Sequence, residues 1–444
     1  MLFNIFSHDL LVLILLFLTF SIVLFKLFSP YISSILDPIV LHIFWLVSTA
    51  SLLCAILIQK TTDINTISFI IGLLAYILVA LFFLRRFHCR KSNLIKASKS
   101  FSNSDFISLG HLSNKSYALI TLTLFLCYLY ANLDLFKYIS QISSFNEIYL
   151  YRFVQLQGRD PLRRIIEAGT SSYFSFFLIG GLFRRDKRIA LTLLIFKILL
   201  GTFSGGRSTL LGVFFEFGSY CFFYKDFIDL KLFKFINKIG FAAIFASLLL
   251  ASYVSSKFMI DGNLVYGLLN IFERIFAAAD GLQYYIYNSG DVKLDSGINS
   301  FFMSVFGIYV KNLVGNVEYK NVGWQLSELA LGSELSFAQG ANYTFLLQGA
   351  ILSPVLIPLY PILSAFLMAK MRNIWISKRI YHPLYFYISA SAFQLVGDLE
   401  LFIFYFISSI TCFFLIIMPF QLRFRTRAIS FSRETENDSV VDSY

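Results

Sequence analysis

The chain has 444 residues, of which 57% are hydrophobic and 14% charged, with a mean hydropathy of +0.71 and a formal net charge of +11 at pH 7. Apolar side chains on that scale exceed what a soluble core can bury, so the composition excludes an ordinary water-soluble domain. It predicts an all-α polytopic membrane protein whose surplus apolar surface faces lipid. The excess of Lys and Arg over Asp and Glu lies between apolar stretches, which makes it a topology signal rather than a nucleic-acid footprint.

A helix needs roughly 20 mainly apolar residues to cross the hydrocarbon. In chain order, about eleven stretches qualify, near 9–27, 39–58, 65–84, 117–133, 167–183, 189–204, 208–224, 239–257, 344–369, 382–397 and 400–420. No small-residue cleavage site follows the first, so it is predicted to be a retained span. The loop 85–116 carries Arg85, Arg86, Arg90, Lys91, Lys96, Lys99 and Lys115 against Asp105. Short translocated loops exclude such clusters, so this loop is predicted to be cytoplasmic. Counting outward places the basic runs at 184–188, 225–238, 370–379 and 423–427 on the same side, with a periplasmic N-terminus and a cytoplasmic C-terminus. The expected organisation is helices 1–8 over 1–257, a large external loop with amphipathic helices over 258–343, helices 9–11 over 344–420, and a cytoplasmic tail over 421–444.

Charge inside the spans is scarce, which singles out Lys197 in the sixth and Glu216 in the seventh. They stand nine and ten residues from Gly206 in the connecting turn, so equal rise along the two helices puts them at one depth and predicts an ion pair. A proton relay is the alternative. Cys54, Cys127 and Cys412 fall in spans, Cys221 near an inner end and Cys89 in the cytoplasmic loop, so neither disulfides nor a metal site is expected. The run Gly205-Gly206-Arg207-Ser208 lacks the lysine of a phosphate-binding loop, and no nucleotide or other cofactor is predicted.

Four external segments remain to build a site: 134–166, the turn at 205–207, the loop 258–343 and the turn at Gly397-Asp398-Leu399-Glu400. The long loop has no proline and contains apolar patches at 264–286 and 301–314, which predicts two or three interfacial or re-entrant helices. Its Tyr284, Tyr285 and Tyr287 read either as an interfacial aromatic belt or as a sugar-stacking surface. Arginines are disfavoured on this side, so Arg152, Arg159, Arg163, Arg164, Arg207 and Arg274 require a reason, and a guanidinium suits paired hydrogen bonds to pyrophosphate. Arg163 and Arg164, beside the fifth span, are expected to contact lipid headgroups, whereas Arg207 and Arg274 are expected to bind substrate. Asp280, Glu328, Glu334, Asp398 and Glu400 are candidates for accepting a proton, with a plain solvated role as the alternative for most of them.

With Gly205-Gly206-Arg207-Ser208-Thr209 after an apolar span, Phe272-Glu273-Arg274-Ile275 early in the long loop and Gly340-Ala341-Asn342-Tyr343-Thr344 before the ninth span, the chain resembles the Wzy-type O-antigen and oligosaccharide repeat-unit polymerases. That family includes the enterobacterial common antigen polymerase. Of the arginine-to-glycine spacings described for some members, Arg152 meets Ala168 and Arg274 meets Tyr285 at those distances, while Arg164 does meet Gly180, a glycine deep in the fifth span, so neither spacing is carried over.

The resemblance implies a GT-C-like architecture and a metal-independent, inverting glycosyltransferase of the bacterial inner membrane. Such an enzyme moves a growing glycan from undecaprenyl pyrophosphate to the sugar of another lipid-linked repeat unit. Its implied partners are that lipid-linked oligosaccharide, the bilayer and a chain-length regulator, with no nucleic acid. On placement and charge alone, and not by carry-over from the family's motifs, catalytic roles are assigned to Arg207, Arg274 and Asp280, and substrate binding to Arg152, Arg159, Glu328, Glu334, Asn342, Tyr343, Asp398 and Glu400. An O-antigen ligase of the WaaL type would carry a histidine in the large loop, yet His8, His42, His88, His111 and His382 all lie elsewhere. A flippase or other transporter would be expected to show internal repeats, and none is found.

Overall fold

The computed structural model describes residues 10–32, 34–59, 64–87, 114–141, 160–183, 187–203, 209–224, 279–287, 322–332, 344–352, 356–378, 383–392, 395–397 and 399–420, with isolated positions between 231 and 306. Every regular element among them is helical: α1 Leu10–Phe28, α2 Pro38–Gln59, α3 Ile64–Arg86, α4 Asn114–Ala131, α5 Leu133–Ile139, α6 Pro161–Leu182 and α7 Lys187–Phe203. The chain continues through α8 Thr209–Phe223, α9 Asp280–Tyr287, α10 Val322–Leu331, α11 Phe345–Leu352, α12 Leu356–Lys378, α13 Pro383–Ser391 and α14 Leu399–Cys412, which runs into a π turn at Phe413–Ile417. Each predicted apolar stretch overlaps a helix except the eighth, 239–257, which lies outside the described residues apart from Leu249. The first nine residues and the tail 421–444 are likewise outside them.

Among the described residues, four helical stretches are long and apolar enough to cross a membrane: Pro38–Ile58, Thr66–Arg86, Pro161–Leu182 and Phe402–Phe420. A fifth joins them if the pair Lys115–Ala131 and Leu133–Ile139, bent by 55°, is one span. The bend falls at Asn132, whose side-chain amide donates to the Tyr128 carbonyl at 2.8 Å, the same carbonyl that its backbone N–H engages at 3.2 Å. That local competition for one acceptor weakens helix continuation.

Burial along α3 shows why these helices suit lipid. Phe69, Leu73, Tyr76, Ala80 and Leu84 form its buried stripe, while Ile67, Ile71, Leu74, Leu78 and Phe82 form an exposed one at helical spacing. A helix apolar on both faces has no face for water. The stripe from Ile67 to Phe82 covers about 22 Å at 1.5 Å per residue, most of a hydrocarbon core. The run Leu119, Leu122 and Leu126 on α4, and the run Leu15, Leu18 and Ile22 on α1, repeat the pattern. The chain is accordingly a multi-pass helical membrane protein.

Two packed groups make the bundle. In one, α2 and α12 lie against α3, with α1 beside α2; in the other, α6 is surrounded by α4, α7, α8, α13 and α14. The two meet through α8 on α2 and α13 on α12. Gly169 permits the closest approach of α6 to α14, for a Cβ there would sit 2.5 Å from the Ser408 carbonyl oxygen and 2.9 Å from Cys412 Cβ. Hydroxyls buried in α2 are satisfied within the helix, as Ser51 Oγ donating to Val47 O at 2.7 Å illustrates.

The exposed cations Lys26, Arg85, Arg86, Lys115, Lys187 and Arg188 sit at helix ends that converge on one end of the bundle, the basic end, and Lys370, within α12, lies over Phe366 beside the end of α3. Contacts among these ends include Phe83 and Phe87 against Phe366, Ser34 donating to Asn237 at 2.5 Å, and Tyr117 donating to the Phe177 carbonyl. Charges read from sequence as five separate runs thus collect in space wherever the residues are described.

The ninth predicted stretch, 344–369, is not one helix. Phe345 N–H donates to Val396 O at 3.2 Å, while Ser364 Oγ and Tyr360 Oη donate to the adjacent Leu395 O at 3.3 and 3.4 Å. On a straight helix, Phe345 and Ser364 would be about 28 Å apart, too far to share neighbouring acceptors. The helices α11 and α12 therefore run back along one another, and the sequence between them contains Pro354, which disfavours a continuous helix. The ring of Phe345 lies 4.8 Å from that of Tyr76, so α11 begins about 18 Å along α3 from Ile64, deep in the bundle.

Candidate functional site

Of the predicted site residues, Asp280 is the best defined. It opens α9, where a carboxylate is favoured by the helix dipole, and the helix buries Asp280, Gly281, Leu282, Gln283 and Ile286. The short helix packs on α10 and α2, and its Tyr285 meets Phe69 of α3 edge to face at 6.1 Å. Phe69 lies on the half of α3 remote from the basic end, so α9 covers the bundle there. Asp280 is only 8% exposed, which rules out the solvated acid that the plain reading of the sequence allows. Burial, and then the Asp280 carboxylate, push the neighbouring Tyr284 phenol up to about 12, so it stays protonated at any working pH. Tyr284 and Tyr285 are half-buried and Tyr287 is exposed, so the aromatic cluster divides between packing and surface.

Glu328 stands half-buried on α10, the helix packed against α9, and Glu400 lies in the first turn of α14. Arg152, Arg159, Arg207, Arg274, Glu334, Asn342, Tyr343 and Asp398 lie outside the described residues. Asp280 and Glu328 are therefore the two predicted site side chains that are found on neighbouring elements. Among the described residues no three His, Cys, Asp or Glu side chains are grouped to hold a metal ion.

The charged residues inside the bundle are occupied with one another. Lys197 Nζ lies 3.5 Å from Glu216 Oε2, donates to the Ser171 carbonyl at 2.9 Å and to the Ser175 hydroxyl, and so ties α7 to α8 and α6. The ion pair expected from equal depth is present. Its ammonium has a partner for each of three donors, the arrangement of a structural staple.

Arg163 corrects an expectation. Instead of reaching for lipid headgroups, it pairs with Asp134 of α5, approaches Asp160 at 3.9 Å and lies over the Tyr130 ring at 5.4 Å. It fastens the bent end of α4 and α5 to the start of α6.

Sequence reasoning missed a second buried pair. Arg372 and Asp37 both have fully buried side chains, joined by two hydrogen bonds of 2.5 and 2.7 Å, and Arg372 also donates to Tyr31 O at 2.9 Å. Phe222 lies under the guanidinium at 5.3 Å. Asp37 caps α2 by accepting from Ile39 N–H at 3.1 Å, and the Asp37-Pro38 dipeptide is a helix-start signal that could have flagged it. Arg372 sits within a basic run that was accounted for by topology alone.

No protein-family model, characterised protein or solved structure matches the chain.

Proposed function

We propose that the protein joins undecaprenyl-pyrophosphate-linked oligosaccharide repeat units into a surface polysaccharide, as a Wzy-type polymerase with about eleven spans in a bacterial inner membrane. In this reading the basic end faces the cytoplasm and α9 and α10 belong to the periplasmic loop. Arg207 and Arg274 hold the donor pyrophosphate as charge develops on it. An acceptor sugar hydroxyl attacks the donor anomeric carbon, the bond to pyrophosphate breaks, and the hydroxyl proton passes to the Asp280 carboxylate. The products are a glycan longer by one transfer and free undecaprenyl pyrophosphate.

One observation carries most weight: Asp280, an acid on the long loop, is buried on a short helix pressed against the bundle, beside Tyr284, whose phenol burial pushes up. Burial of that kind favours a working carboxylate over a solvated one.

A transporter of the same lipid-linked glycan is the second reading. The reversal between α11 and α12 inside the bundle favours it, because discontinuous helices build the midplane sites of transporters.

The test compares polymer ladders from Arg207→Ala, Arg274→Ala and the corresponding Lys variants at matched membrane expression. Loss of one charge-assisted hydrogen bond, about 1.5 to 3 kcal/mol, lowers the rate by roughly tenfold to a hundredfold. Lysine rescues in part, since it keeps charge without the planar fork. Full-length polymer from both Ala variants would refute these assignments.

A further inference from the structure

Two lipid-facing stripes end in cations at the same place. On α3 the exposed stripe through Ile71, Leu74, Leu78 and Phe82 is continued at helical spacing by Arg85 and Arg86, both exposed. On α12 the exposed Leu359 and Leu363 are followed on the same face by Phe366 and the exposed Lys370. The two helices pack on one another, and Phe83 and Phe87 meet Phe366 at 5.0 and 6.3 Å. All three rings are half-buried, so the seam between the helices has an apolar floor that is open at its surface.

Lys370 stands over that floor, with its Nζ 5.4 Å from the centre of the Phe366 ring. Arg372, two residues on and therefore on the opposite side of α12, is buried against Asp37, which leaves Lys370 turned outward. Among the described residues, Arg85, Arg86 and Lys370 have no carboxylate partner. Topology explains why cations gather at this end, but it constrains only their number on that side of the membrane. Lys187 and Arg188, at the start of α7 in the other packed group, serve the same rule. It does not explain three cations without acids, drawn from two helices, around one aromatic seam.

A ligand complementary to this place carries negative charge at headgroup height and a hydrocarbon chain below it. Lipid already covers the exposed stripes, so exchanging one acyl chain for another changes little, and selectivity falls to the headgroup. Two guanidiniums on α3 can grip one phosphate by paired hydrogen bonds, while the ammonium on α12 meets a second as a point charge. Basic pockets between membrane helices select anionic headgroups in this way.

We propose that the basic end of the α3–α12 seam binds an anionic phospholipid with two phosphates, diphosphatidylglycerol, from the leaflet around it. The inference rests on the chain being a membrane protein and is independent of whether it polymerises or moves a glycolipid. A lipid bridging α3 and α12 also stabilises the folded protein, because only the folded state brings the three cations together.

The experiment adds diphosphatidylglycerol, phosphatidylglycerol or phosphatidylcholine to the full-length protein purified in detergent. Bound lipid is read by native mass spectrometry, and the melting temperature is followed in the same samples. The wild type should bind diphosphatidylglycerol most tightly and melt higher with it. Arg85→Gln, Arg86→Gln and Lys370→Gln should each weaken that binding about fivefold, and the triple variant on the order of a hundredfold, with the melting shift lost. Arg85→Lys with Arg86→Lys should keep part of the affinity, since charge remains without the planar fork. Lys187→Gln with Arg188→Gln should bind as the wild type does. The loop beyond Arg86 keeps Arg90, Lys91, Lys96 and Lys99 in every variant, so orientation in the membrane is preserved. If the triple variant misfolds, the three single variants carry the same test. Equal loss from the α7 variant would reduce the site to diffuse surface charge and overturn it. Unchanged binding after removal of the seam cations, or phosphatidylglycerol held as tightly as diphosphatidylglycerol, would overturn it as well.

Discussion

Replacing Lys197 with Ala tests whether the charges inside the bundle are structural. The lysine side chain is 6% exposed and that of Glu216 is 20% exposed, with 3.5 Å between the charged atoms. At an effective dielectric of 20, that separation corresponds to about 5 kcal/mol of attraction. Stranding one member of a buried pair costs about 3 to 5 kcal/mol, and the partial exposure of Glu216 places the expected loss near the lower bound, about 3 kcal/mol. Lys197→Ala should therefore give a lower melting temperature and less monodisperse protein in detergent. Lys197→Met combined with Glu216→Leu should recover stability to within about 1 kcal/mol, because both charges leave together. Unchanged melting for the single variant, or no recovery in the double, would refute the staple. A well-folded double variant that has lost activity would give the pair a role in proton movement.

Gly169→Ala should destabilise by about 1 to 3 kcal/mol in the same melting assay, because its methyl group meets the Ser408 backbone carbonyl, and Cys412→Ala should not rescue it. Asp37→Asn should cost about 3 to 5 kcal/mol, and Arg372→Lys should be similarly poor, since an ammonium cannot span both Asp37 oxygens and Tyr31 O. Asp280→Asn should leave the stability within about 1 kcal/mol of wild type while slowing elongation about a hundredfold or more; an active Asp280→Asn enzyme would move the base elsewhere.

Hydropathy exposed much of the fold because lipid-facing helices such as α3 are apolar all round, so a window of sequence suffices to find them. The Lys197 and Glu216 pair was legible for a related reason: a short turn fixes the register of two helices, and depth then follows from counting. Three features required the third dimension. Arg163 finds Asp134 across a bend set by Asn132, and Arg372 finds Asp37 from 335 residues away. The reversal before α12 is invisible to a hydropathy average, which sums over 344–369 whichever way the chain runs, although Pro354 is a local warning. At the candidate site, the sequence selected Asp280 by its place in the long loop but could not distinguish a buried acid from a solvated one.

The most direct measurement of the central claim supplies purified protein in proteoliposomes with a single lipid-linked repeat unit on the face carrying α9 and α10. The products are separated by length, and free undecaprenyl pyrophosphate is quantified. Polymerisation predicts a ladder of glycolipids and one undecaprenyl pyrophosphate released for each linkage formed. Glycolipid that changes leaflet without lengthening, or transfer only to a lipid A core acceptor, would contradict it.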